Sequence, residues 1–262
     1  MEGPAGGTGA EPRSERVQAF ARGLAVIRCF DAEHPELGLA DVARRTGMAR
    51  AAARRFLLTL LDLGYVSTDG HTFRLTPRVL DLGYSYLSSL SLPELAQPHL
   101  ERLSAQVRES CSVSVLDGGD IVYVARVATR RIMAATITVG TRFPAHATSM
   151  GRVLLAALEP AEAAARLRDA RPRALTERTL HEPEALLAEL VRVRDQGFAL
   201  VDRELEEGVR SLAVPLHRRG AVVAAVNVSV PASRFSTAQM RRDLLPRLRT
   251  CARAVEDDLT RG

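Results

Sequence analysis

Apolar positions recur every three or four residues along Ala19 to Phe30, Leu39 to Thr46 and Arg50 to Leu63, the spacing that places them on one side of a helix. From Tyr65 to Leu75 the pattern changes to two short strands around the turn Asp69-Gly70, so residues 16–77 read as three helices and a hairpin. Arg78 to Ser91 is amphipathic through Val79, Leu80, Leu82, Tyr86, Leu87 and Leu90, and Pro93 closes or redirects it; residues 78–93 read as a linker helix. Residues 94–262 mix helices with short β-branched runs. The helices are Glu94 to Glu109, Met150 to Leu158, Pro160 to Asp169, Pro183 to Gln196 and Thr237 to Leu259, the last under the N-cap candidate Ser236. The strands are Ser112 to Leu116, Ile121 to Val127, Ala134 to Val139, Phe198 to Val201, Ser211 to His217 and Val222 to Val230, with turn signals at Asp117 to Asp120 and Arg218 to Gly220. An antiparallel sheet with helices on its faces is the economical arrangement, which makes the chain α+β. Residues 1–15, rich in Gly, Pro, Ala and charge and without periodicity, read as a disordered tail.

Composition narrows this picture. A chain of 262 residues with 46% hydrophobic content suits more than one packed core. Its longest purely apolar runs are about six residues, as in Ala221 to Val226, against the ~18 of a membrane helix. Together with Glu2, Glu11 and Glu15 near the start, this predicts a soluble protein without a secretion signal. Cys29, Cys111 and Cys251 are odd in number, far apart and free of any CxxC pair, which fits a reducing cytoplasm and neither a disulfide framework nor a thiolate metal site. The net charge of +5 permits a nucleic-acid partner without requiring one. All 36 basic residues are arginine, a bias that lowers the weight of any single guanidinium.

Leu39 to Gly64 reads LADVARRTGMARAAARRFLLTLLDLG, two helical stretches joined by a short turn at Gly47-Met48, the spacing of a helix-turn-helix. At 100° per residue, Arg50, Ala51, Arg54 and Arg55 face outward together, while Ala52, Ala53, Phe56, Leu57, Leu60 and Leu63 face in. Between Val42 and Leu61 stand five arginines, Arg44, Arg45, Arg50, Arg54 and Arg55, and no acid. Such a face suits phosphate contact and bidentate pairing with guanine, and the small Ala49, Ala51 and Ala52 let the backbone approach base edges. The competing account is an ordinary solvated helix face. The hairpin with His71, Thr72 and Arg74 near its tip reads as a wing reaching the minor groove or the backbone, or else as a plain sheet edge.

This segment, LTPRVLDLGYSYL, TRFPAHATSMGRVLLAAL and GFALVDRELEEGVRSLAVPL agree in order with, and resemble, transcription factors of the IclR family, from about Arg22 to Leu259. Within it, RRIMAATITVGTRFPAHATSMGRVLLA and ALVDRELEEGVRS resemble the PcaR, PcaU and PobR branch, which controls aromatic-acid catabolism through protocatechuate and β-ketoadipate. The resemblance implies an N-terminal winged helix-turn-helix, a linker helix used in dimerisation, and a C-terminal GAF- or PAS-like domain that binds a small carboxylate effector. It implies double-stranded operator DNA as partner, and a homodimer or dimer of dimers with no membrane.

Ligand-contact positions follow from the same resemblance. Met133 falls where the family has an apolar pocket wall, or packs in the core. Ser149 and Met150 open a helix where the family has two smaller residues, and Thr148 or Ser149 caps that helix, with or without a carboxylate at its free N–H groups. Ser211 matches a polar or thiol pocket position, and Asn227 and Ser229 match two hydroxyl positions on one face of AVNVSVP, lining a cavity or facing solvent. Asp202 matches the second acid of a family loop whose first acid is Val201 here, and it orients a neighbouring donor. The effector's charge needs donors or arginine; Arg130, Arg131, Arg142 and Arg210 are the candidates, each of them otherwise a solvated surface residue. His146 is either a ligand contact or a structural histidine.

No GxSxG, GxGxxG or P-loop pattern occurs, and the six histidines form no HExxH or i,i+4 pair, so neither catalysis, nor a cofactor, nor a metal is expected. The main expectation is a cytoplasmic transcriptional regulator of aromatic-acid catabolism. The alternatives are a family member serving another catabolic pathway and an architectural protein that binds DNA without an effector.

Overall fold

The computed structural model describes residues 17–83, 91–129 and 137–261. The expected tail at 1–15, residues 84–90 of the expected linker helix, and Met133, Arg130 and Arg131 beside the expected strand Ala134 to Val139 lie outside the described residues. The chain divides into two compact units, 1–86 and 87–262.

The first unit holds α1 (Gln18–Arg28), β1 (Glu36–Gly38), α2 (Leu39–Thr46), α3 (Arg50–Asp62), β2 (Val66–Thr68) and β3 (Thr72–Leu75). Gly47 ends α2 in the left-handed region at φ 66°, and Met48 N–H bonds back to the Ala43 carbonyl at 3.0 Å. That reversal turns the chain directly into α3, and a β-carbon at 47 would strain it. Val26, Leu37, Val42, Ala53, Leu57, Leu60 and Val66 form the core. Leu63, expected to face in, is 51% exposed: its N–H still bonds to the Thr59 carbonyl at 3.0 Å, but the core beneath α3 ends at Leu60. β1 was not foreseen: its three residues are too few to show alternation, yet it pairs with β3 through Leu37 and Phe73, giving the order β1-β3-β2. After β3, Thr76 accepts from Arg78 N–H to cap a 3-10 turn at Pro77–Val79, and the chain stays helical to residue 83.

The second unit opens with α4 (Ser91–Val107). Pro93, expected to close the preceding helix, falls in the first turn of α4, where a missing N–H costs nothing. Then follow β4 (Ser110–Asp117), β5 (Asp120–Val127), β6 (Arg142–Pro144), α5 (Ser149–Ala156), α6 (Pro160–Ala170), α7 (Pro183–Gln196), β7 (Ala199–Asp202), β8 (Val209–Arg218) and β9 (Ala221–Pro231). The last helix, α8, begins at Thr237–Gln239 under a Ser236 capping box, widens to a π turn at Met240–Leu244 and continues over Leu245–Arg261. The strands form one antiparallel sheet, ordered β6-β5-β4-β9-β8-β7.

The two faces of that sheet differ in chemistry. Cys111, Val113, Leu212, Val214, Val226, Val228 and Val230 make one face apolar and pack on Leu100 and Leu103 of α4 and Leu248 and Val255 of α8. The other face supplies Ile121, Tyr123, Ala199, Ala213 and Ala225, small except at β5, beneath Met150, Val153 and Leu154 of α5 and Leu186, Leu190 and Val193 of α7. α5 sits tight against the turn before it. A β-carbon at Gly151 would lie 2.2 Å from the Ala145 carbonyl oxygen and 2.3 Å from its Cα. Both partners are backbone and cannot swing aside. Gly151→Ala is therefore expected to lower the free energy of unfolding by about 3 kcal/mol, the upper end of the overpacking range, seen as a lower urea midpoint at unchanged m-value.

Candidate functional site

On α3 the residues Arg50, Ala51, Arg54 and Arg55 are exposed, and so is Ala49, whose extended backbone begins the helix without a side-chain cap. The guanidinium groups of Arg50, Arg54 and Arg55 make no ion pair among the described residues. α2 differs from expectation. Its two arginines are compensated by acids from outside the acid-free stretch: Arg44 pairs with Asp41 at 2.7 Å, and Arg45 with the more distant Asp31 at 2.5 Å and with the His34 ring at 3.1 Å. Arg45 thereby fastens the turn after α1 to α2. In the hairpin Arg74 reaches Glu36 across β1 at 3.4 Å, and His71 is exposed at the turn. Asp69 closes that turn by accepting from the N–H groups of His71 and Thr72, at 2.9 and 2.7 Å, and these bonds hold its carboxyl down to about 2. The tip of the hairpin thus carries a permanent negative charge.

In the second unit the register sets a polar patch on the face beneath α5. Ser112 lies between Arg126 on β5 and Asn227 on β9, and Asn227 faces Ala213 on β8. In the next row Ser110 faces Ser229, and Ser229 faces Ser211. A bulge between Val113 and Ser114 brings Tyr123 opposite Ser114, so Tyr123 and Arg126 share this face. Arg126 donates to Ser112 Oγ at 3.1 Å and lies 5.9 Å from the Tyr123 ring centroid. Its Nε is buried without a partner, and it makes no ion pair among the described residues. Burial pulls its pKa down, as expected for a cation taken from water with no anion beside it. Ser114 Oγ, Ser149 Oγ and Asn227 Oδ1 are likewise buried without partners among the described residues, the Asn227 amide nitrogen being used on Ser229 Oγ at 3.1 Å. Tyr123, pushed up to about 12 by burial, keeps its phenol proton. A guanidinium, hydroxyl and amide oxygens with unused capacity and an aromatic ring are the kinds of group that bind a small anion with further hydrogen-bonding groups.

The other expected ligand residues are placed as follows. Thr148 caps α5, its hydroxyl accepting from Gly151 N–H at 3.1 Å, which leaves Ser149, fully buried, with the free hydroxyl. Met150 is 1% exposed within the apolar cluster under α5. Asp202 pairs with Arg210 at 2.6 Å, and Arg210 also donates to the carbonyls of Ala232 and Phe235, so this acid orients a donor that fastens the end of β9. Arg142 is bound to Asp117 and Asp120. Neither Arg142 nor Arg210 is left for an effector. His146 is buried, with Nε2 3.1 Å from the Arg173 carbonyl, and burial lowers its pKa. Arg126, Ser112, Ser114 and Tyr123 were missed by sequence reasoning. The available signal was Ser110-Cys111-Ser112-Val113-Ser114-Val115, a hydroxyl at every second position of a strand whose other face is core.

α5 is positioned by an ion pair beneath it. Arg152, 2% exposed, donates to both carboxylate oxygens of Glu204, at 2.8 and 2.5 Å, and to the His146 carbonyl at 2.9 Å. Glu204 also accepts from Leu180 N–H, and its carbonyl takes the Thr179 hydroxyl. One side chain of α5 thus joins the turn before the helix, the loop after β7 and the segment before α7. Among the described residues no group of His, Cys, Asp or Glu is placed to hold a metal, and no helix is long and apolar enough to cross a membrane.

Two family models cover most of the chain: the IclR helix-turn-helix domain at residues 19–70 and the C-terminal domain of bacterial IclR transcriptional regulators at 84–257. The chain is 44% identical over 252 residues to the Pca regulon regulatory protein of Pseudomonas putida, covering 92% of this chain and 87% of that one. Among solved structures it resembles a transcriptional regulator from Rhodococcus sp. RHA1, 57% identical, TM-score 0.83, covering 93% and 98% of the two chains. It also resembles an IclR homologue of Microbacterium hydrocarbonoxydans complexed with 4-hydroxybenzoate, 25% identical, TM-score 0.82, covering 92% and 98%.

Two outcomes follow from the geometry. Arg126→Met, which removes a buried cation but keeps its bulk, is expected to raise the thermal midpoint of the ligand-free protein. The carboxyl of Asp202 is held below its ordinary value of 3.8 by Arg210 and Arg203 against the opposing effect of burial. Its stabilisation is complete above about pH 4 and is lost as pH falls through the lowered folded value. Asp202→Asn is therefore expected to flatten the acid limb of a stability against pH curve and to leave its slope near neutrality unchanged.

Proposed function

The chain belongs to the IclR family of bacterial transcriptional regulators, and on that premise we propose that it is a cytoplasmic, sequence-specific regulator of aromatic-acid catabolism governed by a small carboxylate. It acts by binding, not by catalysis. Arg126 carries this reading: a guanidinium half out of water, with a free Nε and no acid, takes the carboxylate. Ser114, Ser149 and Asn227 supply the bonds that fix the rest of the molecule. Ser211 and Ser229 border this group in the sheet register, and Thr148 and Met150 stand at the start of α5. The relatives support the chemistry, since a regulator of the Pca regulon and a homologue holding 4-hydroxybenzoate are among them.

On the DNA side Arg50 and Arg54 read bases with Ala49 and Ala51 at close approach and Arg55 takes the flanking backbone, while Arg44, Arg45 and Arg74, each paired with an acid, and His71 add weaker contacts at the edges. A homodimer or dimer of dimers presents two such heads, with recognition helices ~34–36 Å apart or a multiple of it. The effector shifts the balance between two head arrangements by binding one more tightly than the other. Calorimetry with 4-hydroxybenzoate, protocatechuate and β-ketoadipate provides the test. At least one is expected to bind the wild type, and Arg126→Met is expected to weaken it by about 1.5–3 kcal/mol, the range for a hydrogen bond to a charged group. No heat with any aromatic-pathway acid, or full affinity in Arg126→Met, would sink this assignment.

A further inference from the structure

We infer that Arg22 and Gln18 of α1, together with Arg55 of α3, form a clamp for the sugar–phosphate backbone of DNA, separate from the side chains that read bases. This rests on the DNA-binding reading above and assigns a contact to a helix outside the helix-turn-helix proper.

A groove of about 360 Å³ runs between the two helices, lined by Gln18 and Arg22 on one side and by Ala52, Arg55, Phe56 and Thr59 on the other. Gln18 and Arg22 are one turn apart on α1, as are Arg55 and Thr59 on α3, so each helix presents a pair of hydrogen-bonding groups along the same trough. A second groove of about 500 Å³ shares Gln18, Arg22 and Ala52 and extends to Gly47, Met48 and Ala49 at the turn into α3. Arg22 therefore borders both. Neither groove contains an acid, α1 has none along its length, and neither Arg22 nor Arg55 makes an ion pair among the described residues. Alanines at 19, 49 and 52 keep the floor low enough for a bulky anion to approach.

The occupant follows from position. At 100° per residue Arg55 is turned a quarter-circle from Arg54, away from the outermost edge of α3 and toward α1. When Arg50 and Arg54 point into a groove of the duplex, the strand bordering that groove passes over the trough. Two guanidiniums and an amide match successive phosphates and bear no relation to base identity. Arg55 thus holds the backbone, and Arg22 and Gln18 join it.

Fluorescence anisotropy separates the two roles. The probes are a duplex recovered from a random pool by binding to the wild type and a second duplex of random sequence, each titrated between 50 and 200 mM salt. Arg22→Ala and Arg55→Ala are each expected to weaken both duplexes by the same factor and to reduce the slope of log K against log salt by about 0.9, roughly a threefold smaller loss over that range. Arg50→Ala and Arg54→Ala are expected to cut the ratio of selected to random affinity instead. All four side chains are exposed, and an unchanged circular-dichroism melt verifies folding; Arg22→Gln gives a second neutral variant. An unchanged slope in Arg22→Ala, or a loss confined to the selected duplex, overturns the clamp while the DNA-binding function stands. Competition by inorganic phosphate at low millimolar concentration with no effect of the variants on DNA would show a free-anion site and overturn it too. A wild type that binds neither duplex removes the function itself.

Discussion

A cation held on one face of a β-sheet, half out of water and without an anion, is unfavourable unless something else fills the place. The other interior arginines of the second unit have their partners: Arg152 with Glu204, Arg210 with Asp202 and two carbonyls. Arg126 has only a serine hydroxyl and a ring. Everything around it tolerates that exception. The opposite sheet face is apolar through its centre and supplies the packing that the polar face lacks, and the buried ion pair under α5 keeps the helix in place over a patch that contributes little adhesion of its own. A buried pair of this kind is rarely a net gain over apolar packing, so its value here lies in fixing geometry.

Much of this was legible in the chain. α2 and α7 have the boundaries that periodicity and capping suggest, because amphipathic repeats flanked by Gly or by Pro leave few alternatives. The outward set on α3 is likewise exposed, since helical angles are fixed once a helix is assigned. What failed was pairing across distance. The acid that binds Arg45 lies fourteen residues away, and the one that binds Arg152 lies fifty-two residues away; no local window contains either. β5 was recognised as a strand, yet Arg126 was not recognised as a ligand residue, because the bulge in β4 and the neighbouring strands decide which face it shares.

The first unit shows how little of a basic surface is available. Of the arginines on α2, α3 and the hairpin, Arg44, Arg45 and Arg74 are engaged by acids, which leaves the α3 set uncompensated. The hairpin turn bears an ionised Asp69, so it approaches a polyanion less readily than its His71 and Arg74 alone suggest. Electrostatic attraction is thereby concentrated on one helix and its immediate neighbour, a narrower footprint than the net charge of +5 conveys.

The three cysteines are all buried, and burial raises the pKa of each, to about 11 for Cys251. Few thiolates exist near neutral pH, so alkylating reagents and oxidants find a poor nucleophile in the native fold. The wild-type chain is for that reason a quiet background for spectroscopy: one cysteine introduced on the surface would accept a maleimide dye or spin label selectively, without first stripping the protein of its own sulfur.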